Sequence, residues 1–175
     1  MRRYHSMGLR LYHLSRGEDD RHVETGDHSK SISAETTFNT DISDRAELER
    51  ILWPLAEKVS RRAKAEGVAG QTVVLKLKTA DFKLRTRNTA LADPTLLANR
   101  IYDAALHLQR EATGTAFRLI GIGISSLAPA TPQHETETLD ANTATRAKAE
   151  LAVDKIRDKF GRAAVGRGIT FGSGE

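Results

Sequence analysis

Alternation and helical spacing divide the chain before any motif is read. Residues 30–38, KSISAETTF, set Ile32, Ala34, Thr36 and Phe38 against Ser33, Glu35 and Thr37. Such alternation marks a strand with one buried and one wet face. In the stretch 72–91, TVVLKLKTADFKLRTRNTAL, Val73, Leu75 and Leu77 oppose Val74, Lys76 and Lys78, and Phe82 and Leu84 oppose Lys83, Arg85 and Arg87. The intervening TAD is short enough for a turn, so these two runs are expected to pair antiparallel. A last strand, AFRLIGIGISSL (116–127), sends Ile120, Ile122 and Ile124 one way and Leu119, Gly121, Gly123 and Ser125 the other.

Two helices fall between the strands. In 41–67 the stripe Leu48, Ile51, Leu52, Leu55 and Val59 repeats at helical spacing, with Asp44 as N-cap, Glu47 three residues on, and Gly67 at the end. In 93–114 the stripe is Leu97, Ile101, Ala105 and Leu108, with Asp93 as N-cap, Pro94 at the first helical position and Gly114 as the stop. The order β-α-β-β-α-β predicts an α+β fold: a four-stranded antiparallel sheet with two helices on one face and the other face open. The expected core is Ile32, Phe38, Ile51, Leu55, Leu75, Leu77, Phe82, Ile101, Leu108, Ile120 and Ile122.

The flanks read differently. Residues 1–17 hold a short amphipathic helix with Leu9, Leu11, Tyr12 and Leu14, closed by Gly17. Residues 18–29 are polar and without period, a linker. The sheet module is expected over 30–126. Residues 127–141 are rich in Pro, Thr and Glu, a second linker. Residues 142–175 carry a C-terminal helix with Leu151, Val153, Ile156 and Phe160 as contacts.

Charge changes the picture only through its placement. The 175 residues carry 27 Lys and Arg against 23 Asp and Glu, a formal net charge of +4. That excess permits an anionic partner without demanding one. On the expected open face, however, Ser31, Ser33, Thr37, Lys76, Lys78, Lys83, Arg85 and Arg87 come together. Cations and hydroxyls in this arrangement suit phosphate oxygens, although a solvated sheet face is often charged with no partner at all. Aromatic residues make up 5% of the chain, too sparse for a base-stacking platform, which favours contact with a polyanion backbone over base reading.

Other chemistry finds little support. With no cysteine, disulfides, thiolate catalysis and thiolate zinc sites are excluded, and a reducing cytoplasmic location fits. No apolar stretch is long enough to span a membrane. The acidic run GEDD (17–20) reads as linker rather than metal site. His13, His22, His28, His107 and His134 lack metal-ligand spacing. No nucleophile, base and orienting group fall together, so no catalytic residue, metal ligand or cofactor is expected in this chain.

Four segments in this order, MGLRLYHLSRGEDDRHVE, KSISAETTF, KLKTADFKLRTRNTAL and FRLIGIGISSL, closely resemble the C-terminal part of Y-family translesion DNA polymerases, the polymerase IV class nearest of all. RAKAELAVDKIRDKFGRAAVGRG also resembles the tail of some bacterial members. The resemblance implies the end of a thumb domain in 1–17, a DNA-binding little finger in 30–126 and a tail after it. It implies a partner, duplex or template-primer DNA gripped by its backbone during lesion bypass and DNA repair. It further implies DNA-facing roles for Lys30, Ser31, Thr86, Arg87 and Arg118. The family's Mg2+-binding palm and its fingers have no counterpart here, so the isolated chain is expected to lack polymerase activity, two-metal transfer needing converging carboxylates. The family pattern has an Arg near Thr89. Its sliding-clamp motif pairs Leu with Phe, whereas PQHETETLDA keeps Leu139 without the Phe, so clamp binding there is expected to be weak or absent. A non-catalytic interaction protein docking on another polymerase or repair factor, or a gene fragment with no role, are the alternative readings.

Overall fold

A computed structural model describes residues 5–19, 21, 29–110, 115–131, 141–166 and 168–170. Its elements are α1 (His5–Ser15), β1 (Ser31–Ile42), α2 (Arg45–Glu66), β2 (Val68–Thr79), β3 (Leu84–Thr95), α3 (Ala98–Arg110), β4 (Phe117–Pro129) and α4 (Ala141–Phe160). Two short 3-10 turns follow at Arg162–Ala164 and Gly168–Thr170. The four strands form one antiparallel sheet in the order β1-β4-β2-β3. The α+β fold expected from the sequence is present, with α2 and α3 on one face.

The ends of α2 follow local chemistry. Asp44 stands in extended backbone and its carboxylate accepts from Ala46 N at 3.0 Å. Gly67 closes the helix at φ 64°, a left-handed conformation that costs a residue without a Cβ little, and its N–H reaches the Ala63 and Lys64 carbonyls. Leu48, Leu52, Leu55, Ala56 and Val59 are buried over the sheet. Val73, Leu75 and Leu77 from β2 and Ile120, Ile122 and Ile124 from β4 meet them. Trp53 and Tyr102 join α2 to α3 edge to face, ring centroids 5.2 Å apart. Of the expected core, Phe38 and Ile51 are only partly buried and pack at its margin.

The start of α3 departs from expectation. Asp93 and Pro94 do not cap it; both belong to β3, which runs to Thr95 because Thr95 pairs with Gly70 across a register shift. Thr95 Oγ1 accepts from Leu97 N at 3.2 Å. The helix is capped instead by a carboxylate from far along the chain. Glu150 on α4 accepts from Ala98 N at 2.8 Å, Asn99 N at 3.1 Å and Asn99 Nδ2 at 2.8 Å. The tail thus folds back on the helical layer, where Ala147 is buried, Lys64 pairs with Glu150 and Asp154, Arg157 with Glu57, and Arg146 with Asp103. The helix of this tail ends at Phe160, before Gly161. In α1, by contrast, Leu9, Leu11 and Tyr12 are exposed. Gly114 and Leu139 lie outside the described residues.

Candidate functional site

The sheet face away from α2 and α3 is uncovered, and its register fixes what lies on it. Three rows cross the central strands. Ser33 faces Gly123, which faces Val74, which faces Asn88; Glu35, Gly121, Lys76 and Thr86 form the next row; Thr37, Leu119, Lys78 and Leu84 form the third. Ser31 pairs with Ser125 beyond the first row. Ser31, Ser33, Lys76, Lys78 and Thr86 are therefore on the open face, as the alternation implied for the first four.

Arg85, Arg87 and Lys83 are not. Arg85 opposes Leu77 and Arg87 opposes Leu75, so both side chains leave the sheet on its helical side, along the edge strand. Lys83 opposes Thr79, whose side chain is buried on that side, and pairs with Asp81 at 2.8 Å. The reversal has one cause. A three-residue loop, Ala80–Phe82, sets Thr79 opposite Lys83, so the odd-numbered residues of β3 face the odd-numbered, core-facing residues of β2, and the apolar Leu84 falls on the open side opposite Lys78. Thr79 N–H donates to Lys83 O at 3.0 Å, Phe82 N–H to Thr79 O at 2.9 Å, and Lys83 N–H to Thr79 Oγ1 at 3.1 Å. Three-residue hairpin loops of this kind end on a left-handed residue, usually glycine. Here it is Phe82, at φ 64°.

Phe82, expected in the core, is consequently 63% exposed at the hairpin tip. It is not idle. The Arg118 guanidinium carbon lies 4.0 Å from its ring centroid, and Lys78 Nζ lies 5.1 Å from it. Arg118 reaches this place through a bulge. Leu119 pairs with Lys78 and Phe117 with Thr79, leaving Arg118 as the extra residue between them. Phe117 can then enter the core while Arg118, two residues from Ile120, escapes it. Lys83 and Thr79 hold the Asp81 carboxyl in the same turn well below its ordinary value, to about 2.

The middle of the face is hollow. Gly121 and Gly123 form its floor between Ser31, Ser33 and Glu35 on one flank and Val74 and Lys76 on the other. A Cβ on Gly121 would stand 2.9 Å from Glu35 Cβ, and one on Gly123 2.9 Å from Ile32 O and Ser33 Cβ. Their glycine identity thus serves close strand approach. Over Gly121 the Glu35 carboxylate and the Lys76 ammonium meet at 2.8 Å. The Lys30 side chain is exposed at the start of β1. Among the described residues no three His, Cys, Asp or Glu side chains stand together as a metal site would need, and no helix is long and apolar enough to cross a membrane.

Sequence reasoning missed three features here: the exposed Phe82, the bulge at Arg118 and the Glu35–Lys76 pair. Only the last had a local signal, a lone acid on a wet strand face.

Known proteins share this chain's pattern. Residues 29–141 match the model of the impB/mucB/samB family C-terminal domain. The "DNA polymerase IV 1" of Mesorhizobium japonicum is 57% identical over 175 residues, 99% of this chain and 40% of that protein. The DNA polymerase IV of Brucella melitensis is 54% identical over 175 residues, 99% of this chain and 39% of that protein. The chain therefore spans about two fifths of the relatives it matches. A solved complex of the beta-clamp processivity factor and the little finger domain of PolIV aligns with a TM-score of 0.48 at 24% identity, over 63% of this chain and 97% of that one.

Proposed function

The chain belongs to the impB/mucB/samB family, as a C-terminal domain, and we propose that it is the DNA-gripping little finger of a translesion polymerase, holding template-primer duplex by its backbone. The observation that carries this reading is the uncovered sheet face. Its hollow floor is flanked by Ser31, Ser33, Thr86, Lys76 and Lys78, with Arg118 brought to the same side by its bulge. Lys30, at the edge of that face, joins the set.

Backbone phosphates complement such a surface because Lys and Arg form charge-assisted bonds with them and hydroxyls add neutral ones. The absent side chains of Gly121 and Gly123 let a strand of the duplex approach the sheet backbone. Sequence preference is expected to be slight, since the cations and hydroxyls that dominate the face suit phosphate oxygens, which carry no sequence information. Nucleotide transfer requires carboxylates that converge on two metals; in this reading it belongs to the part of the relatives that this chain does not span.

Binding of labelled primer-template DNA, followed by anisotropy against salt, tests the proposal. With about three phosphates neutralised, log affinity falls against log salt with a slope of about −3, at micromolar strength or weaker near physiological salt. Replacing Lys78 and Arg118 by Ala weakens binding to all sequences alike and flattens the slope by about 1 to 2. Replacing Arg85 and Arg87, on the helical side, has the smaller effect. The opposite ranking refutes the open-face assignment.

A further inference from the structure

We infer that Glu35 is a built-in competitor for backbone phosphate, occupying Lys76 in the free protein and thereby limiting how tightly the face holds DNA. The inference rests on the DNA reading proposed above. Among the register-paired residues of the open face, Glu35 is the one carboxylate. It lies on β1 and Lys76 on β2, with Gly121 of β4 between them. Because Gly121 carries no side chain, nothing separates the two, and Glu35 Oε2 meets Lys76 Nζ at 2.8 Å.

A carboxylate offers a lysine two charged oxygens, as a phosphate does. The pair is exposed on both sides, 41% for Lys76 and 50% for Glu35, so it is weak and exchangeable rather than structural. Arriving phosphate must displace Glu35 from Lys76 and then lie beside a like charge. Lys78 and Arg118 differ: both stand over the Phe82 ring, and among the described residues no carboxylate is in salt-bridge reach of either. The face therefore holds two cations ready at the hairpin end and one held back at the centre. An unfavourable contact placed among favourable ones tunes affinity downward, which suits a surface that must release each phosphate as the duplex moves.

The test uses the full chain and labelled primer-template DNA between about 50 and 200 mM salt. Glu35→Gln keeps the shape and removes the charge. It is expected to bind about 3- to 10-fold tighter at the low-salt end, with a salt slope steeper by about 0.9 because Lys76 now neutralises a phosphate. In a Lys76→Gln background the same change is expected to leave the salt slope unsteepened, since no lysine is there to be handed to a phosphate. Glu66→Gln, an equal charge change at the end of α2, is expected to leave affinity within about 1.5-fold. Equal or weaker binding by Glu35→Gln overturns the inference alone, as does an equal gain from Glu66→Gln or a slope that steepens just as much in the Lys76→Gln background. Absence of binding by the unaltered chain at every salt overturns the DNA reading and this inference with it. A matching urea midpoint for Glu35→Gln and the unaltered chain shows that folding is not what changed.

Discussion

Glu150 and Lys64 lie 86 positions apart, yet Glu150 Oε1 sits 2.8 Å from Lys64 Nζ. The same carboxylate caps α3 through the Ala98 and Asn99 amides. Its side chain keeps 9% of its exposure, so the charge is withdrawn from water and depends on these donors. Glu150→Ala leaves the α3 amides and Lys64 without their acceptor. The expected cost is about 1–3 kcal/mol, with α4 detaching before the sheet unfolds. Hydrogen exchange that accelerates in α4 and the first turn of α3, while β2 and β4 stay protected, checks it.

The same contact makes the tail sensitive to alkali. Burial alone lowers the Lys64 pKa, but the Glu150 charge and the hydrogen bonds to Asp154 and Glu150 outweigh it and raise the value above its ordinary 10.5. A group whose pKa is raised by folding contributes stability that is complete below its unfolded value and disappears as pH climbs through the folded one. Docking of α4 is therefore expected to be constant through neutral pH and to weaken only above about 10.5. Lys64→Met should abolish that alkaline dependence. Amide chemical shifts of α4 against pH give the measurement.

At the hairpin the sign is reversed. Asp81 titrates near 2 rather than at its ordinary 3.8, so the turn's gain is present above 3.8 and is lost as pH falls toward 2. A carbon-detected titration of the Asp81 carboxyl is expected to find that midpoint, and Thr79→Val to raise it.

Two effects nearly cancel at Phe82. Glycine there relieves a left-handed strain of about 1–2 kcal/mol, while losing an exposed ring beneath Arg118 costs about 0.5–1 kcal/mol. Phe82→Gly is thus expected to keep the urea midpoint or raise it slightly, yet to loosen Arg118, read as line narrowing of its guanidinium signal. Marked destabilisation contradicts this balance.

Core truncation is the blunt case. Leu75 and Ile122 face each other across β2 and β4 and are fully buried. Changing either to Ala is expected to cost about 2–5 kcal/mol. Unchanged urea midpoints in both variants contradict the assigned strand faces.

What the sequence could reveal follows how local each signal is. The alternation of β1 and β2, Asp44 and Gly67 at the ends of α2, and the isoleucine stripe of β4 are set by neighbours within a few residues, and each is found where the pattern puts it. The cap of α3 was illegible because its acceptor comes from Glu150 on another helix. The faces of β3 went wrong for a smaller reason. Phe at a left-handed loop position looks like the first apolar residue of a strand, and the Thr79 hydroxyl that fixes the true turn looks like any strand threonine. Arg118 was legible as a motif residue but not as one lying outside the core, since a bulge leaves no mark in the alternation.

Gly121 and Gly123 add no side chain of their own to the middle of the open face, which the Glu35–Lys76 pair bridges. A cylinder resting there is supported on its shoulders and meets only that exchangeable ion pair along its keel. On the DNA reading, Lys76, Lys78 and Arg118 are long and hinged, so each can pass one phosphate to the next without any part of the sheet having to move. On the DNA reading proposed above, such a cradle is a rail, along which a duplex held by its phosphates advances while the sheet beneath stays still.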